Sequence, residues 1–213
     1  MIKKLIALGI FSISIMSFSQ KISITPSVGY AWRVAKTASG LSREEKEYVK
    51  GLKNGVNFDI AAHYEVKKGL AFGLKYSHYS ASSDGYLLGY ANGMPVSVPA
   101  TTKDNITFFG VSGLISNDNQ PTRHKIFADV AVGVMSYTTK TGSVKGTGST
   151  LGAEIDLGYQ YQVSKNFLIG PKLGLSGGTL RKMKYNGITY DFGKDQKEGL
   201  HRLSLSAAAT FRF

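Results

Sequence analysis

Residues 150–163, TLGAEIDLGYQYQV, constrain this chain more than any other stretch. Leu151, Ala153, Ile155, Leu157, Tyr159, Tyr161 and Val163 are apolar, and between them stand Thr150, Gly152, Glu154, Asp156, Gly158, Gln160 and Gln162. A strand turns successive side chains to opposite faces, so the pattern gives one greasy face and one of carboxylates, amides and glycine; a helix would scatter it. An alternation this long exceeds what a half-buried strand needs and suits one that crosses a bilayer at a tilt.

The same pattern recurs along the chain. It is carried by 22–34 (Ile22 to Val34), 56–66 (Val56 to Val66), 70–77 (Leu70 to Ser77), 126–134 (Ile126 to Val134), 167–176 (Phe167 to Ser176) and 201–213 (His201 to Phe213). Ile106 to Ile115 is a further strand in which Phe108 and Phe109 are adjacent and the apolar phase shifts at Val111, so a bulge is expected there. Eight strands is an even number, which lets an up-and-down antiparallel sheet close on itself and remove both edges. The connections at 67–69, 117–123 and 164–166 are short, those at 35–54, 80–104, 138–148 and 181–199 are long, and the two kinds alternate. Brief turns at one rim and long loops at the other are the layout of an outer-membrane barrel. Within the first long loop, Ser42 and Glu45 have capping-box spacing for a short helix. Pro26 and Pro171 each remove a ladder donor, which predicts a lost hydrogen bond or a bulge.

The N-terminus reads as an export signal over 1–19: Lys3 and Lys4, an apolar run from Leu5 to Phe18, then small residues at Ser17 and Ser19 before Gln20. Residues 20–213 are then expected to be the mature barrel domain, with no peptidoglycan-binding domain expected after Phe213. No apolar run after the signal is long enough for a spanning helix, so a membrane location requires closed strands. The chain has no cysteine, which excludes disulfides, thiol chemistry and a lipidated cysteine. Its net charge is +12, or +10 without Lys3 and Lys4, and for an exported chain lipid phosphate is the expected counterpart rather than nucleic acid.

Alternation alone leaves open whether the apolar face looks out to lipid or into a lipocalin-like cavity. Tyr64, Tyr159, Tyr161, Phe167, Phe211 and Phe213 gather near the short-turn rim and Tyr30, Trp32 and Tyr76 toward the other, as interfacial girdles do. The opposite face is rich in Gly, Ala and Ser, which fit a narrow interior.

With its signal ending Ser17-Phe18-Ser19-Gln20, its alternating segments and its last strand ending Phe211-Arg212-Phe213, the chain resembles the small eight-stranded outer-membrane barrels of the OmpA and OmpX type, in the stand-alone form of Bacteroidetes-like bacteria. The resemblance covers the mature chain and is one of pattern. It implies that the C-terminal aromatic, Phe213, is read by the barrel-assembly machinery, and it points to no particular activity.

On the polar face lie acids Asp59, Glu65, Asp129, Glu154 and Asp156 and bases Lys21, Arg33, Lys75, Lys172, Arg202 and Arg212. Two equivalent ion pairs are expected, Asp59 with Lys75 and Asp156 with Lys172, because each acid precedes a short turn and each base follows it at the same separation. The pairs would form either a gate that exchanges partners or a static filling. His63, His78, His124 and His201 stand isolated in sequence, no H-x-x-x-H pair or calcium loop occurs, and residues 142–152 read as a flexible Gly-rich loop running into a strand, in preference to a phosphate cradle, so no catalytic, cofactor or metal site is expected. Arg181, Lys182 and Lys184, with Lys194 and Lys197, and Lys36, Arg43, Lys46, Lys50 and Lys53 make two long loops basic. That is either ordinary solvated charge or a surface for outer-leaflet phosphates, lipopolysaccharide among them. The expectation is a monomeric, non-enzymatic outer-membrane barrel with an envelope or surface-interaction role. The alternatives are a narrow pore, a lipid-modifying enzyme and a soluble carrier.

Overall fold

A computed structural model describes residues 21–34, 40, 42–91, 93–193 and 197–213; the expected signal at 1–19, and Lys36 and Lys194, lie outside them. The ring strands are β1 (Ile22–Arg33), β2 (Asn54–Lys67), β3 (Leu70–Ala91), β4 (Met94–Ser116), β5 (His124–Thr141), β6 (Val144–Ser164) and β7 (Phe167–Leu180), closed by β11 (Arg202–Arg212). Each pairs antiparallel with its chain neighbour, β7 with β11 and β11 with β1, so the sheet has no edge through its central belt. Arg43–Lys53 forms helix α1, with Ser42 as N-cap and the reciprocal Ser42–Glu45 capping box in place.

The alternation sorts side chains as lipid and a narrow lumen require. Leu151, Ile155, Leu157, Tyr159, Tyr161 and Val163 all face outward, as do Val28, Phe58, Leu74, Val132, Leu173 and Leu205. Glu154, Asp156 and Gln160, between them on β6, are buried inside. A lipocalin-like arrangement has the reverse polarity and is excluded. The outward aromatics form two girdles: Phe167 packs tilted against Phe211 (5.2 Å) and His124 meets Tyr161 edge-on (5.6 Å) near the short turns, and Tyr30 meets Trp32 edge-on (5.4 Å) toward the other rim.

Three sequence expectations need correction. No bulge occurs at Val111, since β4 keeps continuous register with both β3 and β5. Ile106 and Phe108 instead point into the lumen, while Phe109 and Val111 face out, so the apparent phase shift marks apolar filling of the interior. The register shifts fall beside short turns, between Glu65 and Lys67 and between Gln162 and Ser164.

Secondly, the long connections are mostly strand. β3 and β4 pair as far as Ala91 and Met94, and β5 and β6 meet at a two-residue turn with Gly142 at φ +57°. Thirdly, the stretch 142–152 is therefore largely strand β6 rather than a flexible loop. At 22 residues, β3 is roughly twice the strand length that spans a bilayer, so its outer half projects beyond the membrane. Residues 181–199 hold a hairpin, β8 (Lys182–Tyr185) and β9 (Ile188–Asp191), turned by Asn186 (φ 45°) and Gly187 (φ 95°), and a short β10 (Glu198–Gly199) on β7.

The prolines take the first of their two expected outcomes, lost ladder bonds without a bulge. The β1–β11 ladder lacks its rungs at Thr25 and Pro26 and resumes in the same register at Ser27. The β6–β7 ladder does likewise between Gly158 and Tyr161, opposite Pro171. At the first gap the side chains of Thr25 and Thr210 bond to each other (2.9 Å), and Thr210 Oγ1 donates to Gln160 Oε1 (2.9 Å), so polar side chains replace part of the missing ladder.

Candidate functional site

The barrel interior is divided into three tiers. At the short-turn end a cavity of about 520 Å³ opens outward, with Phe127, Gln160 and Thr210 at its inner end. The middle is ionic. The end below the long hairpins is filled by Tyr79, Ile106, Phe108, Met135, Tyr137, Leu180, Met183 and Leu200.

The charged groups of the ionic tier come from inward positions of six strands. Lys172 on β7 binds both Asp59 on β2 and Asp156 on β6, the latter at 2.9 Å. Lys75 on β3 donates to Asp156 (2.6 Å) and lies 3.4 Å from Glu154 and 4.0 Å from Asp129. Arg202 on β11 donates to Glu154 Oε1 (3.0 Å) and to Ser176 Oγ (2.9 Å), and its guanidinium lies 5.6 Å from the Tyr79 ring. Ser27 Oγ donates to Asp59 (2.6 Å) and Ser77 Oγ to Glu154 (2.6 Å). Nearer the long hairpins Arg33 binds Asp104 (3.1 Å) and Glu198, and Tyr137 donates to Asp104 (2.9 Å).

The expected pair Asp156 with Lys172 is within bonding distance. The expected pair Asp59 with Lys75 is not formed: Asp59 holds Lys172 and Lys75 holds Asp156. The reason is the width of the barrel. In the ring order, β2 and β7 are three strands apart, as are β3 and β6, so each of these contacts crosses the lumen. A lysine stem extended radially reaches the far wall of a narrow barrel more directly than it reaches a diagonal neighbour on its own hairpin.

Buried charges persist only when paired and hydrogen-bonded, and this layer is nearly sealed: Lys75 is 1% exposed and Asp59, Lys172 and Arg202 are each 3%. The void beside Asp59, Glu154, Asp156 and Arg202 has a volume of about 10 Å³, at the lower limit for one water. Water-filled conduction needs a continuous wet path, and this layer interrupts it.

His63 is not isolated in space. Its Nε2 lies 2.7 Å from Ser112 Oγ and 3.5 Å from Asp129 Oδ1. The three residue types match those of a hydrolytic triad, but the geometry does not. A triad places nucleophile and acid on different ring nitrogens, whereas here both meet Nε2 and Nδ1 has no partner. His63 and Asp129 are 2% exposed and Ser112 is 5%, which leaves no access for a substrate.

Of the loop bases, Lys182 is held by Asp191 at 3.2 Å, both side chains being exposed. The Gly193 N–H and Lys182 keep the Asp191 carboxyl below the ordinary range. Arg181 and Lys184 are exposed on the same hairpin segment. Helix α1 lies along the outer half of β3, where Tyr48 leaves room only for Gly85, and Tyr79 reaches from the lumen to the Leu52 carbonyl (3.0 Å). Phe213 is tied to β1 through its N–H on the Ile22 carbonyl (2.8 Å), and its ring faces outward.

The fold is that of small outer-membrane β-barrels. Neisserial surface protein A is similar over 90% of this chain and 97% of its own, with a TM-score of 0.56 at 14% identity. OprG of Pseudomonas aeruginosa is similar over 91% of this chain and 97% of its own, with a TM-score of 0.52 at 9% identity. A major outer membrane protein of Thermus thermophilus is similar over 92% of this chain and 100% of its own, with a TM-score of 0.50 at 12% identity. Comparison with curated sequences finds no match. A family model described as a domain of unknown function, DUF2715, matches residues 18–213, and the chain belongs to that family.

Proposed function

We propose that this protein is exported by its N-terminal signal and resides in the outer membrane as a closed, non-enzymatic barrel. Its role is structural or surface-interacting and is carried by hairpins that project from the cell. The observation that carries this reading is the combination of an outward apolar belt with a sealed ionic lumen. The belt requires lipid, and the seal argues against a pore. The short turns face the periplasm, and the outer halves of β3 to β6, with α1 and the β8–β9 hairpin, face outward. Outer-membrane lipids are the surrounding partner, and the assembly machinery reads Phe213 during insertion. The nearest approach to a catalytic constellation, His63 with Ser112 and Asp129, lacks both triad geometry and access.

The test is fractionation followed by electrophoresis with and without boiling, then planar-bilayer recording of the purified barrel. The expected result is a heat-modifiable band in the outer membrane and no single-channel steps. Recovery in the soluble fraction would overturn the location, and steady ohmic steps would replace the sealed barrel with the narrow pore.

A further inference from the structure

The cavity at the short-turn rim is chemically distinct from the rest of the lumen. Six bases, Lys21, Lys67, Lys68, Lys125, Lys165 and Arg212, line it, against two acids, Glu65 and Asp118. Both acids are already engaged. Glu65 Oε1 accepts the Gly69 N–H (3.2 Å). Asp118, on the β4–β5 turn, reaches across the mouth to Arg212 on the opposite strand β11 (2.7 Å), accepts from Ser116 Oγ (2.7 Å) and lies 3.7 Å from Lys125.

Lys67, Lys68 and Lys165 are left exposed, with no acid among the described residues within ion-pair distance. They sit on the β2–β3 and β6–β7 turns, which the ring order places on opposite sides of the mouth. At the inner end Gln160 is 3% exposed. Its Oε1 is occupied by Thr210, which fixes the amide, and its Nε2 is buried without any hydrogen-bond partner. A buried amide donor left unpaired costs free energy until something accepts from it. Gln160 is a lining residue of a space of about 520 Å³, within the range of small-molecule sites, with its Nε2 covered just behind that surface.

We infer that this vestibule binds a small periplasmic anion bearing phosphate or carboxylate groups. Lys67 and Lys68 hold it from one side of the mouth and Lys165 from the other, while an acceptor oxygen takes the free N–H of Gln160. An inner-leaflet phospholipid headgroup offers the same chemistry as a free organic phosphate.

The test uses the mature barrel folded in nonionic maltoside, titrated calorimetrically with pyrophosphate and with citrate, each variant being checked for its heat-dependent gel shift. Saturable binding that weakens with salt is expected, reduced about tenfold in K67Q/K68Q/K165Q and reduced in Q160A, but unchanged in R181Q/K182Q/K184Q on the opposite rim. Repeating the titration in nanodiscs separates the sources. Loss of pyrophosphate binding in phosphatidylglycerol but not phosphatidylcholine discs assigns the site to the headgroup, and equal binding in both assigns it to the free anion. Absence of saturable binding by the unmodified barrel, or equal loss on neutralising either rim, would overturn the inference.

Discussion

Crossed pairing in the ionic tier makes a quantitative prediction that hairpin-local pairing does not. Lys172→Met keeps the stem volume and deletes the charge shared by Asp59 and Asp156. Asp156 retains Lys75 at 2.6 Å, but Asp59 keeps only Ser27 Oγ at 2.6 Å and a long contact from Asn57 Nδ2 at 3.5 Å. Removing one partner of a buried pair costs about 3–5 kcal/mol. The lower end applies here because Asp59 keeps a hydroxyl donor. Asp59→Asn removes the uncompensated charge, so D59N/K172M recovers part of that loss, with a coupling energy at the upper end of the range of about 0.5–3 kcal/mol for groups in contact. The comparison is D59N/K75M, whose residues do not touch each other but are linked through Lys172 and Asp156, so its coupling is expected to be smaller than that of D59N/K172M. Urea titration of barrels refolded into liposomes, followed by Trp32 emission and gel mobility, measures both cycles. A D59N/K75M coupling equal to or larger than that of D59N/K172M would refute the crossed arrangement and restore pairing within each hairpin.

Other parts of the molecule give sharper single tests. Phe108→Ala deletes a fully buried ring from the apolar tier and is expected to cost about 3–5 kcal/mol in the same titration. Planar bilayers of that variant stay silent because the ionic layer is untouched; single-channel steps would place the seal in the apolar tier alone. R181Q and K184Q are each expected to weaken binding to vesicles containing anionic glycolipid more than K182Q, because Lys182 is already paired with Asp191; equal effects in co-sedimentation would dismiss the loop as a phosphate surface. Phe213→Ala is expected to lower the amount of barrel in the outer membrane several-fold while leaving refolding in detergent intact, as judged by the heat shift. Unchanged levels in cells would remove Phe213 as the assembly signal.

The ring was legible wherever one face meets lipid and the other a crowded lumen. Residues 150–163 alternate at every position, and 201–213 do so apart from Ala207-Ala208-Ala209, because one face meets lipid and the other the polar lumen. Legibility failed for two physical reasons. Where the lumen itself is filled with hydrocarbon, at Ile106, Phe108, Met135 and Tyr137, the inward face is apolar too, and the alternation imitates a phase shift. The range 81–104 carries little alternation although it continues β3 and β4: Ala81, Thr102 and Asp104 still point inward, but beyond them the described side chains of Asp84, Tyr86, Val98 and Thr101 are exposed. One signal was available and unused: Asn186-Gly187, between Met183 and Tyr185 on one side and Ile188 and Tyr190 on the other, is the two-residue turn of a hairpin. The charged lumen residues were identifiable by their phase in the strands. Their partners were not, because contact across a barrel depends on the shear of the whole ring.

That dependence bears on whether the lumen is a gate or a filling. Pairs confined to single hairpins could exchange partners with little movement of the wall, since each base would have an alternative acid nearby. Crossed contacts tie β2 to β7 and β3 to β6, so they act as struts across the section. Lys172 is already shared by Asp59 and Asp156, and Lys75 already faces Asp156, Glu154 and Asp129, while Arg202 holds Glu154 from the far side. Moving any one base strips at least one buried carboxylate of its main cation, a cost of several kcal/mol that no incoming water offsets in a void of about 10 Å³. Above this layer, rotation of a strut would also have to lift Tyr79, whose ring lies against Arg202 and whose hydroxyl is bonded to the end of α1. The interior is therefore a cross-braced filling, and whatever the barrel recognises meets it at its rims.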